Sequence, residues 1–341
     1  MNPPERVLVV GPSWVGDMVM AQSLFKVLHT HNPDGLIDVL APAWSRPLLE
    51  RMPEVQAAVD MPFAHGQFDL AGRWRFGRSL RGSYDQAILL PNSWKSALIP
   101  FAARIPLRTG WLGEARYGLL NDARRLDKAR YRMTVQRFVA LALAEGEEMP
   151  PIPPPRLQVE GDGVAAAQQA MGVRKPDERR VLGLCPGAEF GESKRWPSSS
   201  YASLARLYLA RGWDVWLFGS AKDQAACEQI DRESGGRCVN LAGRTQLAQA
   251  VDLMSLADAV VSNDSGLMHV AAALDLPLVA IYGSTDPGFT PPLNARHEIV
   301  SRRLDCSPCF KRECPLGHLD CLNQLPVEQV QGALQRVFAD A

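Results

Sequence analysis

The chain has 341 residues, about twice the usual single-domain length, and is 46% apolar and 22% charged, which excludes global disorder and favours two domains. Thirty-seven basic residues balance thirty-seven acidic ones, excluding a whole-chain nucleic-acid or membrane-surface binder driven by long-range attraction. No apolar run approaches the roughly 18 to 20 residues needed to cross a bilayer, and Val7-Leu8-Val9-Val10 is too short for a secretory core segment, so a cytoplasmic protein is expected.

In chain order, Glu5 to Val10 reads as a β-branched strand, Gly11 to Gly16 as a tight loop, and Asp17 to His29 as a helix. Strand-then-helix pairs follow at 36–40 with 44–52, and at 84–90 with 93–105. Met149 to Pro155 carries five prolines in seven residues and cannot continue a helix, so it marks a linker. A helix over 163–172 comes next. The pattern then restarts with strands at 181–184, 214–218, 238–241, 257–262 and 278–282, alternating with helices at 201–210, 222–233, 245–256 and 265–273. Such alternation predicts an α/β fold of two doubly wound parallel sheets, spanning 1–155 and 156–341, with ligands in an interdomain cleft at the strand C-terminal ends. A last amphipathic segment, 327–338, could pack back across either domain.

Three loops could carry chemistry. Val261 to His269 brings Asp264 and Ser265 to a helix start, where the free N–H groups of Ser265, Gly266 and Leu267 suit a diphosphate. The blander alternatives are that Asp264 or Ser265 merely caps the helix and that His269 is a packed helix residue. Cys185 to Pro197 offers Gly187 for close backbone approach, Lys194 and Arg195 as cations and Trp196 as a flat surface; it is otherwise a solvated turn. Ser13 to Met18 places Asp17 at a strand-to-helix junction, as a helix cap or as a general base on a sugar hydroxyl, with Gly16 permitting close approach. The loop lacks the G-x-G-x-x-G spacing of a dinucleotide site, which weakens a dehydrogenase reading.

Between Arg73 and Arg137 fourteen Lys or Arg face four acids, with Trp74, Phe76, Trp94, Trp111 and Tyr117 interspersed. The neutral chain thus contains a basic half-domain able to receive an anionic amphiphile or single-stranded nucleic acid, unless the charges are a scattered solvated surface. Of the seven cysteines, Cys306, Cys309, Cys314 and Cys321 cluster near His318. Their x2, x4, x6 spacing lacks the second C-x2-C of most zinc sites, so a metal, a disulfide and reduced thiols all stay open and no metal is assigned.

Taken together, Val15-Gly16-Asp17-Met18, Pro186-Gly187 with Lys194-Arg195-Trp196-Pro197, Asn263-Asp264-Ser265-Gly266-Leu267-Met268-His269 and Tyr282-Gly283-Ser284-Thr285-Asp286-Pro287 resemble glycosyltransferase family 9 from Val7 to about Leu322. The cysteine stretch looks like that of the branch acting on an already heptosylated acceptor. The resemblance implies a GT-B scaffold and inverting, cofactor-free transfer of heptose from ADP-heptose to the lipopolysaccharide inner core. It implies donor binding by Gly187, Lys194, Asp223 (for the ribose), Asp264, Ser265, Gly266, Leu267 and His269. Asp17 would be the base, and Lys194 would meet charge on the leaving diphosphate. An anionic lipid acceptor suggests Trp14, Gly16, Arg73, Arg75 and Lys95 as its ligands, with peripheral contact at the inner face of the cytoplasmic membrane and no nucleic-acid partner. A family member acting earlier or later on the core, a nucleotide-sugar epimerase of the same fold and a non-catalytic binding module are the competing readings.

Overall fold

The computed structural model describes residues 4–64, 66–144 and 146–339, and the chain divides into two compact units, 1–155 and 156–341. The first contains β1 (Arg6–Val10), α1 (Val15–His31), β2 (Leu36–Ala41), α2 (Arg46–Leu49), β3 (Ala57–Asp60), α3 (Leu70–Ser79), β4 (Gln86–Leu89), α4 (Trp94–Ala102), β5 (Leu107–Trp111), β6 (Asp122–Arg124) and α5 (Thr134–Val139). Its sheet is wholly parallel, in the order β3-β2-β1-β4-β5-β6.

The second unit contains α6 (Gly161–Met171), β7 (Val181–Cys185), α7 (Ser198–Ala210), β8 (Asp214–Leu217), α8 (Gln224–Glu233), β9 (Val239–Asn240), α9 (Leu247–Met254), β10 (Ala259–Asn263), α10 (Gly266–Ala273), β11 (Leu278–Tyr282), β12 (His297–Ser301), α11 (Asp320–Asn323) and α12 (Val327–Ala339). The sheet order β12-β11-β10-β7-β8-β9 repeats the first topology strand for strand, again all parallel. Strands covered on both faces must be apolar along their length, and β7, β10 and β11 are buried at every residue.

The last helix joins its own unit: α12 packs on β11, β12 and α7, burying Val330, Ala333, Leu334 and Val337 at helical spacing. The elements that the sequence pattern does not announce are short or polar. Among them, β3 is partly exposed, β6 has three residues, and α3 (LAGRWRFGRS) carries three arginines and two glycines.

Candidate active site

Strand order in a doubly wound sheet reverses at one point, and loops leaving the strand C-terminal ends there diverge to leave room for a ligand. In the second unit that point lies between β7 and β10. The loops leaving them are the two that the sequence singled out, Pro186 to Pro197 and Asp264-Ser265. In the first unit it lies between β1 and β4, which places the Asp17 loop and the start of α4 side by side.

In the second unit the two loops are tied by charge. Asp264 is 3% exposed, and its Oδ2 accepts from Lys194 Nζ at 2.6 Å and from Thr285 Oγ1 at 2.5 Å. Lys194 also lies 5.0 Å above the Phe190 ring. Ser265 stands at the cap position of α10 without making a capping hydrogen bond; its hydroxyl meets that of Ser262 at 3.3 Å. Ser265, Gly266 and Leu267 are half-buried, while Met268 and His269 are buried. Burial pushes His269 down to about 4, the Lys194 charge adding to the effect and Asp264 opposing it, so the ring is neutral at physiological pH.

Asn263, which the sequence reading left without a role, pins both loops. Its buried carbonyl oxygen accepts from Trp196 N and Tyr201 Oη, both at 3.1 Å, and its amide donates to Pro186 O at 2.7 Å. Its sequence signal is a polar amide closing the apolar run of β10. Thr285 is the second such residue, a hydroxyl just past β11, the strand next to β10.

Asp223 sits beside Gly187 and explains that glycine: an added Cβ would lie 2.4 Å from the Asp223 carboxylate. The carboxylate is mostly engaged in holding its own turn. Oδ2 accepts from Ser220 N at 3.0 Å and Ser220 Oγ at 2.8 Å, and Oδ1 accepts from Arg195 at 3.2 Å. Asp223 therefore braces the loops after β7 and β8 first, and offers a ligand only the remaining lone-pair capacity of Oδ1.

In the first unit Asp17 is half-buried in the first turn of α1, behind Gly16 and Trp14, which is 48% exposed. Lys95, half-buried, begins α4. The start of α4 corresponds topologically to that of α10, yet here a carboxylate fills the position: Glu114 Oε2 accepts from Trp94 N at 2.7 Å. Arg75 is exposed on α3. Arg73 does not join it, being 4% exposed, with Nη2 donating to Gln67 O at 3.1 Å and its guanidinium 4.5 Å from the Phe63 ring.

The basic half-domain of the sequence is therefore smaller at the surface than its charge count. Arg116 is wholly buried and donates to Pro91 O and Trp111 O; Arg108 donates to Leu119 O and Ile105 O; Arg124 donates to Ala140 O and Leu143 O. These guanidiniums close off loop carbonyls, a use for which five donors in a rigid fork are suited.

Residues 73–320 match the family model described as glycosyltransferase family 9 (heptosyltransferase). The chain is 53% identical to lipopolysaccharide heptosyltransferase 2 of Salmonella typhimurium, over 98% of this chain and 99% of that protein. It is 51% identical to lipooligosaccharide heptosyltransferase 2 of Haemophilus ducreyi, with the same shares covered. The solved structure of E. coli ADP-heptose lipopolysaccharide heptosyltransferase II matches with a TM-score of 0.87 at 45% identity, over 98% of this chain and 99% of that one. With the family model covering most of its length and full-length relatives agreeing, the chain belongs to glycosyltransferase family 9 and has its GT-B fold.

Proposed function

We propose that the protein transfers L-glycero-D-manno-heptose from ADP-heptose to the heptosyl-Kdo-lipid A inner core of lipopolysaccharide, inverting the anomeric centre without a catalytic metal ion. The second unit holds the donor. The observation that carries this is the Lys194–Asp264 pair beside the uncapped start of α10, a fixed set of N–H donors and one cation for a diphosphate. The full-length likeness to heptosyltransferases 2 supports the same donor and acceptor.

In the reaction Asp17 accepts the proton of the acceptor heptose hydroxyl as that oxygen attacks the anomeric carbon. The anomeric bond to the diphosphate breaks from the opposite face and ADP leaves with the electron pair. Lys194 and the N–H groups of Ser265, Gly266 and Leu267 meet the charge developing on the leaving oxygen, while Asp264 orients sugar hydroxyls. Asp223 Oδ1 takes a ribose hydroxyl, Gly187 permits the approach of the nucleotide, and neutral His269 closes the donor side. No Asp-x-Asp triplet is present to hold a metal.

The acceptor is held by the first unit, with Trp14, Gly16 and Lys95 near the reacting hydroxyl. An open hollow of about 870 Å³ between α3 and α4, lined by Leu70, Trp74, Arg75, Arg78, Trp94 and Phe101, combines exposed aromatic surface with cations. That chemistry supports peripheral contact with anionic lipid at the inner face of the cytoplasmic membrane. No helix among the described residues is long and apolar enough to cross a membrane.

The deciding assay incubates the purified chain with ADP-heptose and a panel of truncated lipopolysaccharide acceptors, with and without added Mg2+, and identifies products by mass. One added heptose on the heptosyl-Kdo-lipid A acceptor, at a rate indifferent to Mg2+, is expected. Transfer only to a heptose-free or a more complete core would assign an earlier or later step.

A further inference from the structure

The segment between β12 and α11, residues 302–319, contains no helix or strand, and its cysteines are free thiols. It is nevertheless fastened across the loops that leave β7 and β11. Ser307 Oγ donates to Gly283 O at 2.5 Å, and Phe310 N donates to Ser284 O at 2.7 Å. The buried Ser193 then ties three loops together. Its Oγ donates to Lys311 O at 2.5 Å and accepts from the buried Ser284 Oγ at 3.0 Å, while its N–H donates to Arg312 O at 3.3 Å. A Cβ on Gly191 would collide with that same Arg312 oxygen, so the glycine is what lets the segment approach this closely. Ser193 precedes Lys194 and Ser284 precedes Thr285, the two residues that hold Asp264. The backbone of Arg312 is thereby fixed against the loops of the Lys194–Asp264 pair.

What this fastening delivers is a charge. The exposed Arg312 guanidinium lies 5.6 Å from the centroid of the Phe190 ring, the same ring that carries Lys194 at 5.0 Å. Other cations of these loops are already taken: Lys194 holds Asp264 at 2.6 Å, Arg195 holds Asp223 at 3.2 Å, and Lys222 holds Glu189 at 2.7 Å. Arg312, by contrast, makes no ion pair among the described residues. An aromatic face orients a cation without cancelling its charge.

Charge balance says what such a cation is for. A nucleoside diphosphate sugar carries a negative charge on each phosphate. Lys194 and Asp264 cancel each other, and the start of α10 offers only about half an elementary charge. Most of the ligand's charge is therefore unmet by the residues of the pair. A guanidinium supplies a full positive charge, and its forked donors match two phosphate oxygens at once.

We propose that Arg312 is a second donor-binding residue, its guanidinium taking the diphosphate of ADP-heptose alongside Lys194. The proposal rests on the donor assignment made above and extends it to a residue outside every loop that the sequence singled out for the donor. Sequence reading passes over Arg312 because it lies beyond the last strand, far from Lys194 along the chain, and only the docking of its segment on Ser193 and Ser284 brings it to the Phe190 ring.

The test measures binding of ADP and of ADP-heptose to the full chain by calorimetry. Arg312→Gln and Arg312→Lys are compared with the parent, and Arg303→Gln, a change at an exposed arginine of the same segment, is the control. Arg312→Gln should weaken both ligands roughly tenfold, raise the apparent donor constant to match, and leave the acceptor constant and the melting temperature alone. With one cation lost, its affinity for ADP should fall less steeply than the parent's as salt is raised, which loss of packing on Phe190 would not produce. Arg312→Lys should recover part of the affinity, and Arg303→Gln should bind as the parent does. An Arg312→Gln chain that binds ADP as tightly as the parent overturns the proposal. So does a loss that is equal at every salt concentration and not improved in Arg312→Lys, or an equal loss in Arg303→Gln. A parent chain that binds neither ligand overturns the donor assignment itself, a result distinct from a binding parent with an indifferent variant.

Discussion

The two units share one strand order and differ at the corresponding helix start. After β10, Ser265 does not cap α10, and the nearby charge is a buried Lys194–Asp264 pair. After β4, Glu114 accepts from the first amide of α4, and the neighbouring aromatic surface at Trp14 and Trp94 is exposed. A helix start filled by the protein's own carboxylate repels a second anion, whereas an uncapped one beside a cation attracts it. The same scaffold thus has an uncapped helix start beside a buried ion pair in one unit and an exposed aromatic surface beside a carboxylate-filled helix start in the other. Under the function proposed above, the first would take the nucleotide-sugar donor and the second a bulky amphiphilic acceptor.

The sharpest way to break this contrast is Asp17→Asn. Turnover should fall by roughly 10³-fold while ADP-heptose binding, measured by calorimetry, is unchanged. Loss of donor binding would move Asp17 out of the acceptor half of the reaction. Lys194→Ala should act in reverse, abolishing measurable ADP-heptose binding. It also leaves Asp264 buried with Thr285 as its remaining named partner, so stability should fall by roughly 3 kcal/mol on denaturant unfolding. An unfolding curve identical to that of the parent would show that the ion pair is not maintained in solution.

A smaller effect separates the units by pH. Because the folded value of His269 near 4 lies below its ordinary 6.5, the unfolded chain takes up the proton first. The stability associated with the neutral ring is complete above pH 6.5 and is lost progressively as pH falls towards 4. His269→Gln should flatten that part of the profile of the second unit by roughly 3 kcal/mol, with no matching change in the first. An unchanged slope would mean that the ring is not buried. Smallest is the double change Arg75→Glu with Arg78→Glu. It should raise the apparent acceptor constant about tenfold at low salt, less at high salt, and leave the donor constant alone. Equal effects on both constants would contradict the separation of roles.

The loops at the sheet ends were legible because glycines, small hydroxyl residues and single charges interrupt apolar runs only where strands end. The proline tract at 149–155 was legible as a boundary for a similar reason: five missing amide donors forbid helix and ladder alike. Arg73 and Arg116 were not legible, since charge counting assumes solvent and cannot see a guanidinium turned inward onto carbonyls. Asn263 belongs to a recognisable motif, but its task needs Pro186, Trp196 and Tyr201 to be brought together by the fold. The loop of Asp223 resembles the family's ribose-binding loop only approximately, and its hydrogen bonds to Ser220 and Arg195 depend on a turn that no spacing announces. The route of α12 was undecided until packing placed it on β11 and β12.

The closed contact between Lys194 and Asp264 also implies discrimination. A visitor must compete with an internal carboxylate already seated on the ammonium, so a single orthophosphate gains little by intruding. Under the proposed donor assignment, a nucleoside diphosphate sugar would reach the lysine and the amide groups at once and give the freed carboxylate a sugar hydroxyl in exchange, so the pair would act as a threshold favouring the whole donor.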